Sequence, residues 1–535
     1  MRKTKHMNYN KLKYILIIPA FLFSMVLQSQ DRAEADANFD ADNFDVAREQ
    51  YLKIWKRDAQ DVVVNYRIAI CYLKTDDDKS QALKYLEIAM NQKNYPFDTH
   101  YYYALALFHK HEFEKAKAKF EEYIKSKDAL GELVEESKKY LVNCTNAEEL
   151  IKSPLDVTFI NLGKNINTKR SDFLPFVNFD ETHLVFTSNK KYSYDYQMLI
   201  SNVFHCDVVA GSWQPMKSLS SKINTDENEL CVGYAKNGET LILTYDHFNA
   251  YFDIFYINKK AGTYKDVFSA GDVINTKYKE GGATMTFSGD TLIFASDRPG
   301  GFGGFDLYYS AKLPDGTFGI PINLGPGINT VADENYPSIS YDSKNLYFAS
   351  TGYNSMGGYD IFSCTRKGDK FAWSTPKNFG YPINDTYDNL NISFPDNKRF
   401  AYVASFREGG FGNLDIYKVV FNDQPRMDYL YTGTIKVQDT KQIPVLDFDK
   451  SITIEVFLEG NDNPFGQYLV NPNTGNYVIS LPPGKYELKI KGEKIEDYIR
   501  PLEVTEVSAG ENFTQMDVFL RPKVKTETTP KKRTF

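Results

Sequence analysis

The residues able to do chemistry are few and badly spaced for it. The chain has seven histidines in 535 residues. His109, His111 and Glu112 share a Phe-His-Lys-His-Glu stretch, but histidines two apart face different sides of a helix, unlike those of HExxH, so a solvated turn between helices is expected. His183, His205 and His247 fall in the first two copies of a β repeat, with no Gly-x-Ser-x-Gly to supply a nucleophile. Five cysteines (Cys71, Cys144, Cys206, Cys231, Cys364) make no CxxC pair and no zinc spacing. They read as buried apolar residues, with Cys206 and Cys231 close enough in repeat position to allow one disulfide. Carboxylates recur once per repeat instead of clustering, as Asp253, Asp306, Asp360 and Asp415. An Asp after a glycine turn caps backbone N–H groups, so these four are assigned to the turn. No catalytic residue, cofactor or metal is expected, and the chain reads as a non-enzyme.

The elements that carry these residues repeat. Five units open with Ile-Asn at Ile166, Ile223, Ile274, Ile328 and Ile383, at intervals of 57, 51, 54 and 55 residues. An apolar strand follows (Leu292–Ser296, Leu346–Ser350, Ala401–Ser405), then a glycine turn into an Asp-led strand. About four short strands per unit predict a five-bladed β-propeller over residues 154–425, with six blades the alternative. Val157–Gly163 matches the segment Ile322–Gly325 and is expected to supply an outer strand to the last blade. Phe302 and Phe411, at equivalent turns, are candidates for partner contact. The stretch Ser296-Asp297-Arg298-Pro-Gly-Gly resembles the propeller of TolB and related periplasmic proteins.

Residues 30–150 carry another period. Ala47, Ala82 and Ala116 are 35 and 34 apart, and Ala69 and Ala104 are 35 apart. Small residues recurring at that step, with large ones a turn later, resemble the tetratricopeptide repeat. Stacked helix pairs leave a groove, and Tyr66, Tyr101, Tyr102 and Tyr103 are its candidate partner-binding residues, packing between helices being the other use of such a cluster.

Residues 428–522 alternate apolar and polar positions, which predicts a small β-sandwich. The run from Gly475-Asn-Tyr to Leu481-Pro-Pro-Gly-Lys-Tyr486 resembles the carboxypeptidase-regulatory, transthyretin-like family, an accessory module. Residues 523–535 read as a disordered basic tail. Residues 1–29 read as a signal peptide, a positive head before an apolar stretch. An uncleaved anchor is the other use of that stretch. They hold five of the basic residues, leaving 58 basic against 70 acidic and a net charge of −12. That charge argues against nucleic acid as a partner.

Helical repeats, propeller and sandwich in this order resemble the PorE-like, OmpA-family-associated proteins of the type IX secretion and gliding machinery of Bacteroidetes. The resemblance implies an exported periplasmic scaffold, associated with the outer membrane, binding protein components of that machinery such as a PorP/SprF-type barrel. Peptidoglycan binding belongs there to a C-terminal OmpA-like domain, which this sequence lacks, and is not carried over. A TolB-like envelope-integrity protein and a carbohydrate-active propeller enzyme are the alternatives.

Overall fold

The computed structural model describes residues 30–179, 181–209, 212–235, 238–246, 252–368, 371–395, 399–423, 429–438, 449, 451–461, 463–471, 474–504 and 513–523. The expected signal peptide, His247 and nearly all of the basic tail lie outside them. The chain divides into two compact units. One holds the helices and most of the β region to Phe421; the other holds the segment from Asn422 together with Phe179–Glu181 and Pro395–Phe400.

The first unit begins with seven helices: α1 (30–40), α2 (Phe44–Trp55), α3 (Val62–Lys74), α4 (Ala82–Met90), α5 (Thr99–His109), α6 (Phe113–Lys125) and α7 (Gly131–Ile151). Asp61 caps α3 by accepting a hydrogen bond from the Val64 amide at 3.0 Å. The periodic alanines 47, 69, 82, 104 and 116 are all fully buried. A methyl group at these positions lets neighbouring helices approach until Tyr51, Ile68, Leu86, Phe108 and Phe120 fill the core between them. None of the described helices is long and apolar enough to cross a membrane.

After α7, strand β1 (Val157–Asn161) leads into four antiparallel sheets formed in chain order. The first is β2 (Asp172–Val177), β3 (His183–Ser193) and β4 (Met198–Val209), with β5 (Ser212–Trp213) and β6 (Lys217–Ser218) on its outer strand. The second is β7 (Asn228–Ala235), β8 (Thr240–Asp246), β9 (Phe252–Lys260) and β10 (Thr263–Ser269). The third is β11 (Glu280–Met285), β12 (Thr291–Ser296), β13 (Asp306–Ala311) and β14 (Ile322–Asn323). The fourth is β15 (Glu334–Ile339), β16 (Asn345–Ser350), β17 (Asp360–Thr365) and β18 (Lys377–Asn378). The fifth joins β19 (Phe400–Ser405) and β20 (Asp415–Phe421) to β1, which pairs from Val157↔Phe421 to Asn161↔Tyr417. The early strand completes the last sheet, as its sequence match required.

The Ile-Asn signature is the joint between sheets. Asn224, Asn275, Asn329 and Asn384 each hold one residue in the third strand of the sheet before it (Val203, Ile254, Leu307 and Ile361). The amide oxygen accepts from that residue's N–H and the amide nitrogen donates to its carbonyl, all at 2.8–3.0 Å. Asn167, which has no earlier sheet, makes the same pair with Ile416 of the fifth, at 2.8 and 3.1 Å. A planar amide mimics a strand neighbour here, so the backbone groups at each junction stay satisfied.

Five residues after each Asn sits a buried polar side chain: Asp172, Glu229, Glu280, Glu334 and Asn389. Thr330 donates to Glu334 from its backbone and from its hydroxyl, both at 2.7 Å, and Ser350 donates at 2.7 Å. Desolvation pushes the Glu229 carboxyl up to about 7 and that of Asp172 up to about 6. A carboxyl whose pKa is higher folded than unfolded stabilises the fold most below its unfolded pKa. That stability is lost as pH rises through the folded pKa. Glu229→Gln is therefore expected to flatten the fall in stability between pH 4.5 and 7, a relative gain of about 3 kcal/mol at pH 7.5 from the shift itself. The fifth copy already uses an amide, Asn389, at this position. Urea titrations at pH 5 and 7.5 check the prediction, and parallel pH dependences in the two proteins would refute it.

The five cysteines are free and buried, Cys206 and Cys231 included, so the disulfide allowed by their repeat positions does not form. Burial holds all five thiols up at about 12.

The second unit pairs two sheets over one core. One is β21 (Tyr429–Val437) between β24 (Asn476–Leu481) and the parallel pair β27 (Phe513–Gln515) and β28 (Val518–Leu520); the other is β22 (Thr453–Leu458), β23 (Pro464–Tyr468), β25 (Gly484–Lys491) and β26 (Tyr498–Val504). Inward residues such as Ile454, Val456, Ile479, Leu488 and Val518 alternate with exposed ones, as the sequence pattern required.

Candidate functional site

Three of the four repeat aspartates do what a turn residue does. Asp306 accepts from the Phe302 and Gly303 amides at 2.6 and 3.1 Å and from Asn323 at 2.8 Å. Asp415 repeats this with Phe411, Gly412 and Asn161 at 2.6, 3.2 and 2.8 Å. Asp360 repeats it with Met356, Gly357 and Asn378 at 2.9, 3.2 and 2.8 Å. Burial pushes Asp360 up to about 7 against those donors. Asp253 holds the matching place in β9, opposite Tyr245. The glycine after Phe302, Met356 and Phe411 has a steric reason. A Cβ on Gly412 would stand 2.4 Å from the Arg170 carbonyl oxygen and 2.5 Å from that of Thr168, inside contact distance.

This alignment makes Met356 the counterpart of Phe302 and Phe411, and their surroundings differ sharply. Phe302 and Phe411 are 46% and 50% exposed, whereas Met356 is fully buried in the helical core. The sheets dock on the helices through that turn. Asn143 and Asn146 of α7 donate to the carbonyls of Gly357 and Ser355 at 2.6 and 2.9 Å. Further polar ties join Asn413 to Asp45 at 3.2 Å, Ser171 to Asp76 at 2.9 Å and Arg170 to Glu49 at 3.0 Å. Sequence reasoning missed Met356, because the residue type had changed while the position had not.

Between helices and sheets lies a cavity of about 470 Å³, lined by Tyr101, Tyr102, Leu105 and His109 of α5, Glu136 and Tyr140 of α7, Lys79, and Thr386 to Asp388 of the fourth-to-fifth sheet connection. Tyr387 is central to it. Its hydroxyl accepts from the Lys79 amide at 3.2 Å and its ring lies 5.3 Å from that of His109. Burial pulls the Lys79 ammonium below its ordinary pKa and the His109 imidazole well below its own. His109 also bonds Thr386 at 3.3 Å, so this side of its turn is packed rather than solvated; His111 remains exposed.

Of the four tyrosines, Tyr101 and Tyr102 line this cavity; Tyr66 lies next to them, its ring 6.0 Å from Tyr102 and its hydroxyl donating to Asp98 at 2.6 Å. Tyr101 is buried and its hydroxyl donates to Glu136. Tyr103 turns away, toward Glu87. The pattern combines helix packing at Tyr101 with a tyrosine wall at Tyr102. Acids (Asp98, Glu132, Glu136, Asp388) and lysines (Lys74, Lys79, Lys139) give its lining both charges.

No protein-family model matches the chain. No curated protein matches it in sequence. Solved structures align with it loosely. The Trypanosoma rangeli sialidase is 9% identical, over 67% of this chain and 91% of its own, with a TM-score of 0.30. The Bacteroides ovatus xyloglucan-locus protein GH43B is 11% identical, over 66% and 81%, with a TM-score of 0.24. A puromycin-hydrolysing peptidase of Mycobacterium tuberculosis is 11% identical with a TM-score of 0.26, and the chain spans only 38% of its length. Likeness this loose carries no activity across.

Proposed function

We propose that this chain is a non-catalytic scaffold of the bacterial envelope that holds protein components of an outer-membrane secretion or gliding complex. In this reading the five sheets are the blades of a five-bladed β-propeller. The helices are tetratricopeptide-like repeats capping it, and the second unit is a transthyretin-like sandwich. Five asparagine joints, the last returning to the first sheet, favour five blades over six. Export to the periplasm belongs to the same reading and rests on the expected signal peptide.

The observation that carries the reading is the fate of one turn position in three repeats. In the fourth repeat it is a knob seated in a helical socket within the molecule. In the third and fifth it is an exposed phenylalanine on the same Asp-capped turn. A rigid turn that presents an aromatic side chain is a low-entropy anchor for another protein. Two such anchors and the tyrosine-walled groove give several modest contacts, which linkage makes cooperative.

A photo-crosslinking amino acid placed at Phe302, and separately at Tyr102, tests this in cells. The expected product is a covalent adduct with an outer-membrane barrel of the secretion or gliding machinery. Combining Phe302→Ala with Phe411→Ala, which removes both anchors, should lower capture from the Tyr102 site by at least about tenfold. Adducts only with a peptidoglycan-associated lipoprotein would instead favour the TolB-like role. Glycan turnover abolished by removing one acid would overturn the scaffold.

A further inference from the structure

Strands β3 and β4 place His183 opposite Asp207 and Val185 opposite His205. Side chains two apart on a strand share a face, so both histidines and the aspartate project from one side of the pair. Their donor atoms all lie within 4.8 Å of one another. His183 Nδ1 and Asp207 Oδ1 are 2.8 Å apart, a hydrogen-bond distance that would open to about 3.4 Å across a tetrahedral ion. The two imidazole centroids are 5.4 Å apart. His205 Nδ1 is buried and makes no hydrogen bond among the described residues. An idle buried nitrogen costs free energy unless something binds it.

The surroundings prepare the set. The rings of Tyr234 and Tyr264 each stand 6.3 Å from His183 and fix its plane, and Tyr264 is anchored by its bond to the Gly238 carbonyl at 2.7 Å. Lys217 approaches Asp207 at 3.7 Å, and Lys259 adds positive charge near His205. Lys217 is 64% exposed and can swing into solvent.

We propose that His183, His205 and Asp207 bind one divalent transition-metal ion of the zinc type, with solvent completing the coordination. Two imidazoles and one carboxylate suit zinc, nickel or copper better than magnesium or calcium, which prefer all-oxygen sites. A His–Asp hydrogen bond alone would account for His183 and Asp207 but give His205 no role. The site is distinct from the helical groove and from the phenylalanine turns, and does not depend on the scaffold reading.

The test uses the full chain purified without a polyhistidine tag, titrated with Zn²⁺ against a chromogenic chelator. One ion per chain is expected, with a rise in thermal midpoint on saturation. His205→Gln should weaken binding by at least about tenfold, and Asp207→Asn similarly. Lys217→Ala removes a competing cation from an exposed position and should tighten binding several-fold. This variant keeps the test decisive if a ligand variant fails to fold. No saturable uptake at about 100 µM Zn²⁺, or equal affinity in the wild type and all three variants, would overturn the site.

Discussion

Lysine in place of Met356 is expected to release the helices from the sheets. The side chain is fully buried and packs in the apolar cluster of the helices. Burying an unpaired charge there should cost more than about 4 kcal/mol, greater than the two α7 amide bonds to Ser355 and Gly357 can offset. The Asp360 bond to residue 356 uses only its backbone N–H, so the turn itself keeps its shape. Hydrogen exchange should then rise along α7 while strands β11 to β13 stay protected. Met356→Leu, which conserves volume, should change stability by less than about 1.5 kcal/mol. Unchanged exchange in α7 of the lysine variant would mean that the knob does not hold the two layers together.

The second large effect is expected at Asn167. Alanine there strips the Ile416 N–H of its partner, leaves the Ile416 carbonyl with only the Leu162 amide at 3.2 Å, and removes a donor to Asn161. Asn167 is only 3% exposed, so water cannot readily replace the amide. One buried N–H left unpaired, with the Ile416 carbonyl and Asn161 each losing a donor, should cost about 2 kcal/mol or more in a urea titration. Exchange should rise first at Val157–Asn161 and Asp415–Phe421, where the early strand meets the last sheet. Asn167→Asp keeps an acceptor for the Ile416 N–H but loses the donor, and should fall between wild type and alanine. A loss under about 1 kcal/mol for the alanine variant would deny the joint its role.

Much of this architecture was legible because each repeat must solve the same problem with the same residue types. An amide is needed at each sheet junction, so Ile-Asn recurs. A carboxylate is needed at each glycine turn, so Asp306, Asp360 and Asp415 recur. Alanine recurs where helices cross for the same reason. The buried acids Glu229, Glu280 and Glu334 also stood at a constant offset from each Asn, a signal in view but unread, since an acid in a polar loop looks solvated until its burial is known. Other features had no local signature. Met356 differs in type from Phe302 and Phe411, and its burial depends on helices more than 200 residues away. His183, His205 and Asp207 meet only through the β3–β4 register, which no spacing rule for helices or metal loops encodes. The Cys206 and Cys231 thiols sit in neighbouring sheets, yet each spends its weak donor on a backbone carbonyl, of Leu184 and Gly233.

The ladder between β1 and β20 decides how the protein would respond to mechanical load. Val157 and Phe421 are paired at one end of it, where the chain enters and leaves the β region. Tension drawn through those two points peels the ladder open one rung at a time, a weak geometry compared with shearing all rungs together. The α7 amides on the fourth sheet supply a parallel route around that zipper. A molecule built this way yields at its seam before its sheets come apart, and can close again once the pull stops.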